Sequence, residues 1–249
     1  MEKHKLPNGE TIFCINKHEV EFLYSEIYQD KVYTSGGISL KEDSVVVDAG
    51  ANIGLFTIYV LEKFPKSSVY AFEPSPETFK VLKENTKKYS SRCKIFEVGL
   101  SNKEEEAKFH FYPNFSTFST FYPDHLSMGG DKSRMENVVD SKSAEAALVP
   151  KEEICKLVTL SSIIEKEKIK QIDLLKMDVQ RAELYVLEGI KDNDWVKIKQ
   201  IAFELHHIGE EETKKIDQLL SQKGYRVEKH EDKLSTKEVP IYMVYAFRK

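Results

Sequence analysis

The sequence predicts an α/β fold built on an open, Rossmann-like sheet that is mostly parallel and has an antiparallel last strand. Short apolar segments alternate with amphipathic helical segments from residue 44 onwards. The first segment, residues 44–48, is largely valine, as expected of a strand that is buried on both faces. The last two segments, 225–229 and 241–247, are joined by a polar loop without a helix, so the final strand should run antiparallel.

The first 40 residues are expected to form an N-terminal strand–helix cap on this sheet. Residues 11–15 form an extended apolar run after the turn chemistry of Pro7-Asn8-Gly9. Asn16 can cap the helix that follows, with Glu19 three positions later in the pattern of a capping box. Apolar residues recur at helical spacing in that helix: Val20, Leu23, Tyr24, Ile27 and Tyr28.

The rest of the chain is expected to complete the sheet, and residues 1–249 to form a single domain. Further strands are predicted at 67–72, 94–98, 173–177 and 200–205, and helices at 53–63, 76–89, 182–190 and 211–222. One segment, residues 113–151, breaks the alternation and begins with an aromatic run. Because long irregular insertions in compact domains are usually functional, we expect a flap beside a cleft, with an ordinary surface insertion as the alternative.

Charge and cysteine content exclude several classes of protein. The net charge of −4 speaks against nucleic-acid binding, which usually requires a basic surface. Cys14, Cys93 and Cys155 are widely spaced and form no CxxC pair, which indicates buried thiols in a reducing compartment and predicts a cytoplasmic location. The sequence shows neither a signal peptide nor an apolar run of about 18 residues, so no membrane span is expected.

A glycine-rich turn, VVVDAGANIGLF at residues 45–56, ends the first buried strand. Ligands of open parallel sheets bind beyond the carboxyl ends of the strands, where glycine allows the backbone to approach closely. The order D-x-G-x-N-x-G differs from the dinucleotide fingerprint. We therefore expect Asp48, Gly50, Asn52 and Gly54 to bind a nucleoside cofactor whose ammonium group meets Asp48 directly or through water. S-adenosylmethionine has that ammonium group and no phosphate.

Two further acids end the next two strands. Glu73 can accept hydrogen bonds from both ribose hydroxyls and would repel a 2′-phosphate, so NADP is disfavoured. Glu97 follows the third strand, where an acceptor can meet the adenine amino group. Together with Asp48, they predict S-adenosylmethionine as the cofactor and S-adenosylhomocysteine as its product.

Three stretches resemble the motifs of FkbM-type methyltransferases: residues 45–56, AFEP at 71–74 and DLLKMDVQRAE at 173–183. The run LPNGETIFCINKHEVEFLY at residues 6–24 is similar to O-methyltransferases attached to, or encoded beside, polyketide and nonribosomal-peptide assembly lines. The resemblance extends over residues 6–207. It implies a class I methyltransferase fold and a natural-product hydroxyl acceptor that can be carried on an acyl-carrier protein.

One departure from the family pattern follows the fourth strand of the expected sheet. The family usually has Glu-Gly after its D-V, whereas this chain has Gln180 and Arg181. No role is therefore inferred for those two residues. Asp178 and Glu183 match the pattern, and Asp178 is expected to contact the cofactor.

A hydroxyl acceptor must lose its proton, and histidine is the commonest base. We expect His206 or His207, at the end of the strand 200–205, to take that proton, oriented by Glu204 or Asp178. Asp178 could instead bind magnesium or calcium. Because the sequence shows no second compact set of carboxylates, we expect no metal.

Other functions remain open at this stage. The acceptor can instead be an amine, a sugar hydroxyl or an RNA ribose 2′-hydroxyl, for which Lys176 and Asp178 could serve in deprotonation. A non-catalytic module that binds S-adenosylmethionine is a further alternative, whereas the glycine–asparagine spacing disfavours an NAD-dependent oxidoreductase. Six polar residues are expected to line the cleft: Tyr28, Tyr33, Tyr112, Ser116, Ser119 and Tyr122.

Overall fold

The structure, a computed structural model, describes residues 1–123, 149–205, 209–233, 235 and 240–248. Its strands are β1 (Glu2–Lys5), β2 (Thr11–Cys14), β3 (Val45–Ala49), β4 (Ser68–Phe72), β5 (Cys93–Phe96), β6 (Gly99–Leu100), β7 (Glu105–Phe111), β8 (Lys151–Val158), β9 (Leu174–Met177), β10 (Gln200–Leu205), β11 (Tyr225–Glu231) and β12 (Tyr242–Arg248). Its α-helices are α1 (Lys17–Tyr24), α2 (Leu55–Lys63), α3 (Pro76–Thr86), α4 (Leu160–Lys166), α5 (Glu183–Glu188), α6 (Asp192–Trp195) and α7 (Glu210–Gln222).

Seven strands form the central sheet, in the order β5–β4–β3–β9–β10–β12–β11. The pairs from β5 to β10 are parallel, and β12 runs antiparallel to both β10 and β11. This confirms the predicted α/β sheet with an antiparallel last strand. The chain leaves β3 towards β4 and later returns to β9 on its other side, so the strand order reverses between β3 and β9. Ligands bind at such a reversal, beyond the carboxyl ends of the strands.

Each face of the sheet is covered by its own hydrophobic core, because side chains alternate between the faces along a strand. Val46 packs with α2 and the N-terminal segment, whereas Val47 packs with the residues of α4, α5 and α7 on the other face. Both valines are fully buried. The valine-rich composition of β3 therefore reflects burial on both sides, as the sequence predicts.

The N-terminal segment belongs to the first of these cores. Val20, Leu23 and Ile27 are buried in the same cluster as Val46 and Phe56. Asn16 caps α1, since its side chain accepts a hydrogen bond from the backbone N–H of His18 at 2.9 Å. The helix continues as a π-helix over Ser25–Asp30. The expected cap is thus packed directly against the sheet.

A second sheet of three strands, β6–β8–β7, was not predicted from the sequence. In it β7 and β8 pair antiparallel, with Phe111 opposite Lys151. These two strands therefore bracket the insertion expected at 113–151. Residues 124–148 of that insertion lie outside the described residues. In the part of the chain that the structure describes, no helix has the length and apolar character required to cross a bilayer.

Candidate functional site

A cleft opens at the carboxyl ends of β3, β4 and β9, with about 610 Å³ of empty space including its open mouth. Its walls come from the glycine turn after β3, the loop after β4, the strand β6 and the segments that follow β7 and β9. The polar or backbone groups most relevant to binding are those of Gly50, Asn52, Glu73, Gly99, Ser116 and Asp178. The cleft therefore lies where the sheet topology and the glycine turn both predict a ligand.

The glycine turn has a backbone that only small residues adopt freely. Gly50 has a φ of +71°, and a Cβ there would collide with the carbonyl oxygen of Asp178. Asn52 has a φ of +50°, also in the left-handed region. Gly54, with a φ of +92°, precedes α2, and a Cβ there would lie 2.7 Å from Leu82 of α3. Gly50 and Asn52 line the cleft, whereas Gly54 allows α2 and α3 to pack closely.

Asp48 lies beneath this turn and has no exposed surface. Its Oδ1 is 3.0 Å from the Nζ of Lys176, and its Oδ2 accepts a 2.6 Å hydrogen bond from Thr57. The same Nζ donates to the carbonyl oxygen of Gly50 at 2.8 Å. Asp48 is not among the described residues that line the cleft. Its carboxylate faces Lys176 in this structure, where the sequence had suggested a cofactor ammonium.

The ammonium of Lys176 is held in its charged form. Burial by itself lowers the pKa of Lys176, but the neighbouring carboxylates of Asp48 and Asp178 outweigh burial, and the pKa is raised. The aromatic ring of Tyr33 lies 5.0 Å from the Nζ, which adds a cation–π contact. A buried ion pair therefore supports the glycine turn from below.

Glu73 is the buried carboxylate that does face the cleft. Its Oε2 accepts from the backbone N–H of Asn52 and its Oε1 from that of Ser75, both at 3.0 Å. Burial raises the pKa of Glu73 to about 7, against the effect of these two hydrogen bonds. Each carboxylate oxygen has a second lone pair, so Glu73 can also accept hydrogen bonds from ligand hydroxyls.

Asp178 follows β9 and lines the same cleft as Glu73. Its Oδ2 accepts a 3.1 Å hydrogen bond from the hydroxyl of Tyr33, and its Oδ1 accepts a 2.9 Å bond from the side-chain amide of Gln180. Burial and the charge of Asp178 raise the pKa of Tyr33 well above its usual value, so this hydroxyl stays protonated and donates. The N-terminal cap thus orients a carboxylate of the cleft.

The Gln180-Arg181 departure occupies unusual backbone. Gln180 has a φ of +47° and Arg181 a φ of +74°, in the left-handed region where glycine is unstrained. The hydroxyl of Thr120 donates to the carbonyl oxygen of Gln180 at 2.7 Å. Nearby, burial raises the pKa of Glu183 to about 8. An arginine at this position is expected to cost about 1–2 kcal/mol relative to glycine.

The other predicted site residues occupy different places. Glu204 is the penultimate residue of β10, which pairs with β9, and it is buried. His206 and His207 lie outside the described residues. Glu97 follows β5 and is exposed, and it does not line the described part of the cleft. The structure therefore brings Glu73 and Asp178 together in the cleft and places Asp48 and Glu97 outside its lining.

The residues that precede the undescribed part of the insertion close one side of the cleft. Ser116, Thr117 and Ser119 line it, as predicted for the two serines. The four predicted tyrosines do not: Tyr28, Tyr33, Tyr112 and Tyr122. The last of these stacks on Tyr185, with ring centroids 4.5 Å apart.

Glu19 lies behind the cleft wall, and sequence reasoning missed its contacts with that wall. The capping-box pattern predicts a bond back to the start of α1, but the carboxylate of Glu19 accepts hydrogen bonds from Ser116 and Thr117 instead. The capping-box role of Glu19 is therefore wrong, whereas the Asn16 cap is confirmed. Glu19 is only 6% exposed in the first turn of α1, and sequence periodicity alone does not reveal this burial.

The charge of the cleft indicates which ligands fit it. Glu73 and Asp178 are acidic, and the described lining contains no lysine, arginine or histidine. Such a lining favours a cationic ligand with hydroxyl groups and disfavours a phosphate. Across the described residues, no group of three or more His, Cys, Asp and Glu side chains is arranged to hold a metal ion. S-adenosylmethionine has a positively charged sulfonium and ribose hydroxyls, and it fits a cleft lined by these carboxylates.

Comparison with known proteins agrees with this chemistry. Residues 48–227 match the family model of the methyltransferase FkbM domain. The 31-O-demethyl-FK506 methyltransferase FkbM of Streptomyces tacrolimicus is 33% identical over 84% of this chain and 83% of its own length. Methyltransferase 1 of Beauveria bassiana is 34% identical over 100% of this chain and 98% of its own.

A third relative is much longer than this chain. The AMB antimetabolite synthetase AmbE of Pseudomonas aeruginosa is 35% identical over 98% of this chain, which spans only 12% of the synthetase. Among solved structures, the methyltransferase FkbM of Methylobacillus flagellatus matches with a TM-score of 0.58 over 90% of this chain and 48% of that one. At 14% identity, this likeness concerns the fold.

Proposed function

The chain belongs to the FkbM family of methyltransferases, and from this premise we propose that it methylates a hydroxyl group of a small, natural-product-like acceptor. It is an S-adenosylmethionine-dependent methyltransferase, as predicted from the sequence. When bound, S-adenosylmethionine supplies a methyl group activated by its sulfonium. Our proposal concerns the acceptor and the residues that act on it.

The observation that supports the cofactor site on which the proposal depends is a buried carboxylate, Glu73, in a cleft whose described lining has no cationic side chain. Glu73 is the residue we assign to the ribose hydroxyls, because a carboxylate at this strand end can accept from both of them. The negative charge of Asp178, together with that of Glu73 in its ionised form, also favours the positively charged sulfonium over a phosphate-bearing cofactor. We keep Glu97 as the acceptor for the adenine amino group, at the end of β5.

Asp178 stays a proposed cofactor contact, and three further predicted residues, Asp48, Gly50 and Asn52, form or support the glycine turn. Gly50 and Asn52 provide the close approach of main chain to ligand. Asp48 acts from beneath, since it holds Lys176, which in turn holds the carbonyl oxygen of Gly50. We assign Asp48 this supporting role in place of a direct contact with the cofactor ammonium.

For the transfer itself, the chain must hold the acceptor oxygen close to the methyl group and remove its proton. Positioning of this kind contributes roughly 7–11 kcal/mol, and a general base contributes about 10²–10⁴-fold. We propose His206 or His207 as the base, oriented by Glu204 or Asp178, and no metal. The end positions of the neighbouring strands β9 and β10 support this assignment, because Asp178 and Glu204 both lie there.

The relatives support an oxygen acceptor in a biosynthetic setting. One is named as a 31-O-demethyl-FK506 methyltransferase, which names the atom that is methylated. The match to 12% of a synthetase supports an acceptor presented on a carrier protein. We therefore propose residues 1–249 as a single methyltransferase domain, with a cap at 1–40 and a flap at 113–151, that serves such acceptors free or tethered.

Mass spectrometry tests the proposed function directly. The chain is incubated with S-adenosylmethionine and a panel of hydroxylated compounds, free and carrier-tethered, beside matched amines and an RNA oligonucleotide. We expect a mass increase of one CH₂ unit on a hydroxylated small molecule only. Methylation confined to the amine or the RNA would contradict the hydroxyl assignment. Cofactor binding without any product would favour the non-catalytic alternative.

A further inference from the structure

The buried carboxylate of Glu19 joins the N-terminal helix to the segment that follows β7. Its Oε1 accepts from the backbone N–H of Thr117 at 3.0 Å and from the hydroxyl of Thr117 at 3.3 Å. Its Oε2 accepts from the hydroxyl of Ser116 at 3.2 Å. A buried carboxylate requires hydrogen-bond donors, because without these hydrogen bonds the full free-energy cost of desolvating the carboxylate remains. Glu19 and this segment therefore stabilise each other.

The same serine also contacts the glycine turn. The Oγ of Ser116 accepts a 2.9 Å hydrogen bond from the side-chain amide of Asn52. The backbone N–H of Asn52 in turn donates to Glu73 at 3.0 Å. A continuous chain of hydrogen bonds thus runs from Glu19 in the cap to Glu73 in the cleft.

Three members of this chain, Ser116, Asn52 and Glu73, line the cleft, whereas Glu19 does not. A second bond reinforces the link, since the side-chain amide of Asn16 donates to the carbonyl oxygen of Asn114 at 2.6 Å. Glu19 and Asn16 therefore hydrogen-bond the N-terminal cap at two points to the segment that forms one wall of the cleft.

We propose that Glu19 is a positioning residue for cofactor binding: through Ser116 it fixes Asn52, and with it the orientation of Glu73. This inference rests on the proposed function for the identity of the ligand, S-adenosylmethionine. Glu19 itself does not touch that ligand. Its burial also raises its pKa to about 7, the same direction and cause as for Glu73.

Titration calorimetry with S-adenosylhomocysteine tests the inference on Glu19→Ala, Glu19→Gln and Ser116→Ala. We expect Glu19→Ala and Ser116→Ala each to raise the Kd about tenfold, because each breaks the chain of bonds to Asn52. Glu19→Gln keeps the shape and one acceptor oxygen, so its loss should be smaller. The double variant Glu19→Ala/Ser116→Ala should bind no more weakly than either single variant, since both act on one chain.

Glu21→Ala is the matched control, because Glu21 lies on the same helix with an exposed side chain. It should leave the Kd unchanged. If Glu19→Ala and Glu19→Gln lowered only the melting temperature and left the Kd at the wild-type value, Glu19 would be a structural residue and the inference would be wrong. Additive losses in the double variant would contradict it as well.

Hydrogen exchange separates this inference from the proposed function. The amide of Thr117 should exchange faster in Glu19→Gln than in the wild type even without ligand, because its acceptor is weakened. Unchanged exchange there would overturn the positioning role whatever the ligand. If the wild type instead failed to bind S-adenosylhomocysteine while Thr117 responded as expected, the proposed function would fail and the link between cap and cleft would stand.

Discussion

Tyr33 belongs to the N-terminal cap and hydrogen-bonds a carboxylate that lines the cleft. Its hydroxyl donates to Asp178 from a buried position, and its ring lies close to both Lys176 and Phe56. We predict that Tyr33→Phe lowers kcat by about tenfold with a smaller change in the KM for S-adenosylmethionine, because a hydrogen bond to a carboxylate contributes about 1.5–3 kcal/mol. Steady-state kinetics measure both parameters.

Tyr28→Phe is the control for this substitution. Tyr28 is another tyrosine of the cap, and in the described structure its buried hydroxyl has no hydrogen-bond partner. Its removal should leave both kinetic parameters unchanged. Equal losses in the two variants would show that any change in the cap impairs the enzyme, and the specific role of the Tyr33 hydroxyl would be refuted.

Asp48 and Lys176 form the second residue-scale feature, a buried ion pair beneath the turn. We predict that Lys176→Met lowers the free energy of unfolding by about 3–5 kcal/mol, because it leaves a buried carboxylate without its partner. The double variant Asp48→Asn/Lys176→Met should recover part of that loss. Urea denaturation measures these values, and a double variant as unstable as the sum of the single changes would contradict the pairing.

Sequence reasoning identified the acids at the strand ends but could not tell which of them face a ligand. Asp48 and Lys176 are opposite one another in the β3–β9 register, so a cation from the neighbouring strand satisfies this acid. Among the residues that the structure describes, no cation lies within hydrogen-bonding distance of Glu73, which accepts from backbone N–H groups instead. Long-range pairing of this kind depends on strand register, which the pattern of residues along one strand does not contain.

At the scale of elements, the glycine turn between β3 and α2 carries the most specific prediction. Gly50→Ala should abolish binding of S-adenosylhomocysteine, because the added Cβ collides with the backbone of Asp178 at the cleft wall. Gly9→Ala is the control: Gly9 has a similar φ of +91°, but open space surrounds its Cβ position. It should cost only the backbone strain of about 1–2 kcal/mol and leave binding intact.

Calorimetry and thermal melting of the two alanine variants distinguish these effects. Normal binding by Gly50→Ala would show that the turn tolerates a side chain and does not depend on close approach to β9. Loss of binding by Gly9→Ala would show that strain anywhere in the chain abolishes binding, which would also contradict the prediction.

The elements of the central sheet were predictable because burial on two faces leaves a strong apolar signal. β10 spans Gln200–Leu205, the bounds expected from the sequence. β1 was missed because most of its side chains are exposed and charged, as at Glu2 and Lys3, and β7 because it begins with the exposed, charged residues Glu105 and Glu106. The charged composition of β1 gives no period that distinguishes it from a turn. In β7, by contrast, Ala107, Phe109 and Phe111 alternate with Lys108 and His110, so the period of a half-buried strand is present and was overlooked.

At the scale of the whole molecule, buried acids make stability depend on pH. Burial raises the pKa of Glu19 and Glu73 to about 7 and that of Glu183 to about 8, from an ordinary value of 4.5. The folded state therefore binds more protons than the unfolded state between about pH 4.5 and 8. Their favourable contribution is complete below the unfolded pKa and is lost as the pH rises through the folded values.

We predict that the melting temperature falls as the pH is raised from about 6 to 8.5. Glu183→Gln should flatten the upper part of that dependence, because it removes the group with the highest of these three pKa values. The exposed Glu21→Gln serves as control and should leave the profile unchanged. A melting temperature that rises over this range, or an unchanged profile in Glu183→Gln, would contradict the prediction.

The fold as a whole and the type of cofactor could be predicted from the sequence, whereas the acceptor could not. Strand–helix alternation and three strand-end acids are local patterns, so they survive in a single sequence. The cleft wall formed by Ser116 and Thr117 depends on contacts with Glu19, almost a hundred residues earlier. No local sequence pattern connects such distant residues. The shape of the cleft, which decides the acceptor, depends on long-range contacts such as these.

A crystal structure of the chain with S-adenosylhomocysteine would show where the cofactor binds. We predict the nucleoside in the cleft at the ends of β3, β4 and β9, with its ribose hydroxyls hydrogen-bonded to Glu73 and its sulfur near Asp178. A nucleoside bound elsewhere, or a ribose that makes no contact with Glu73, would contradict this prediction.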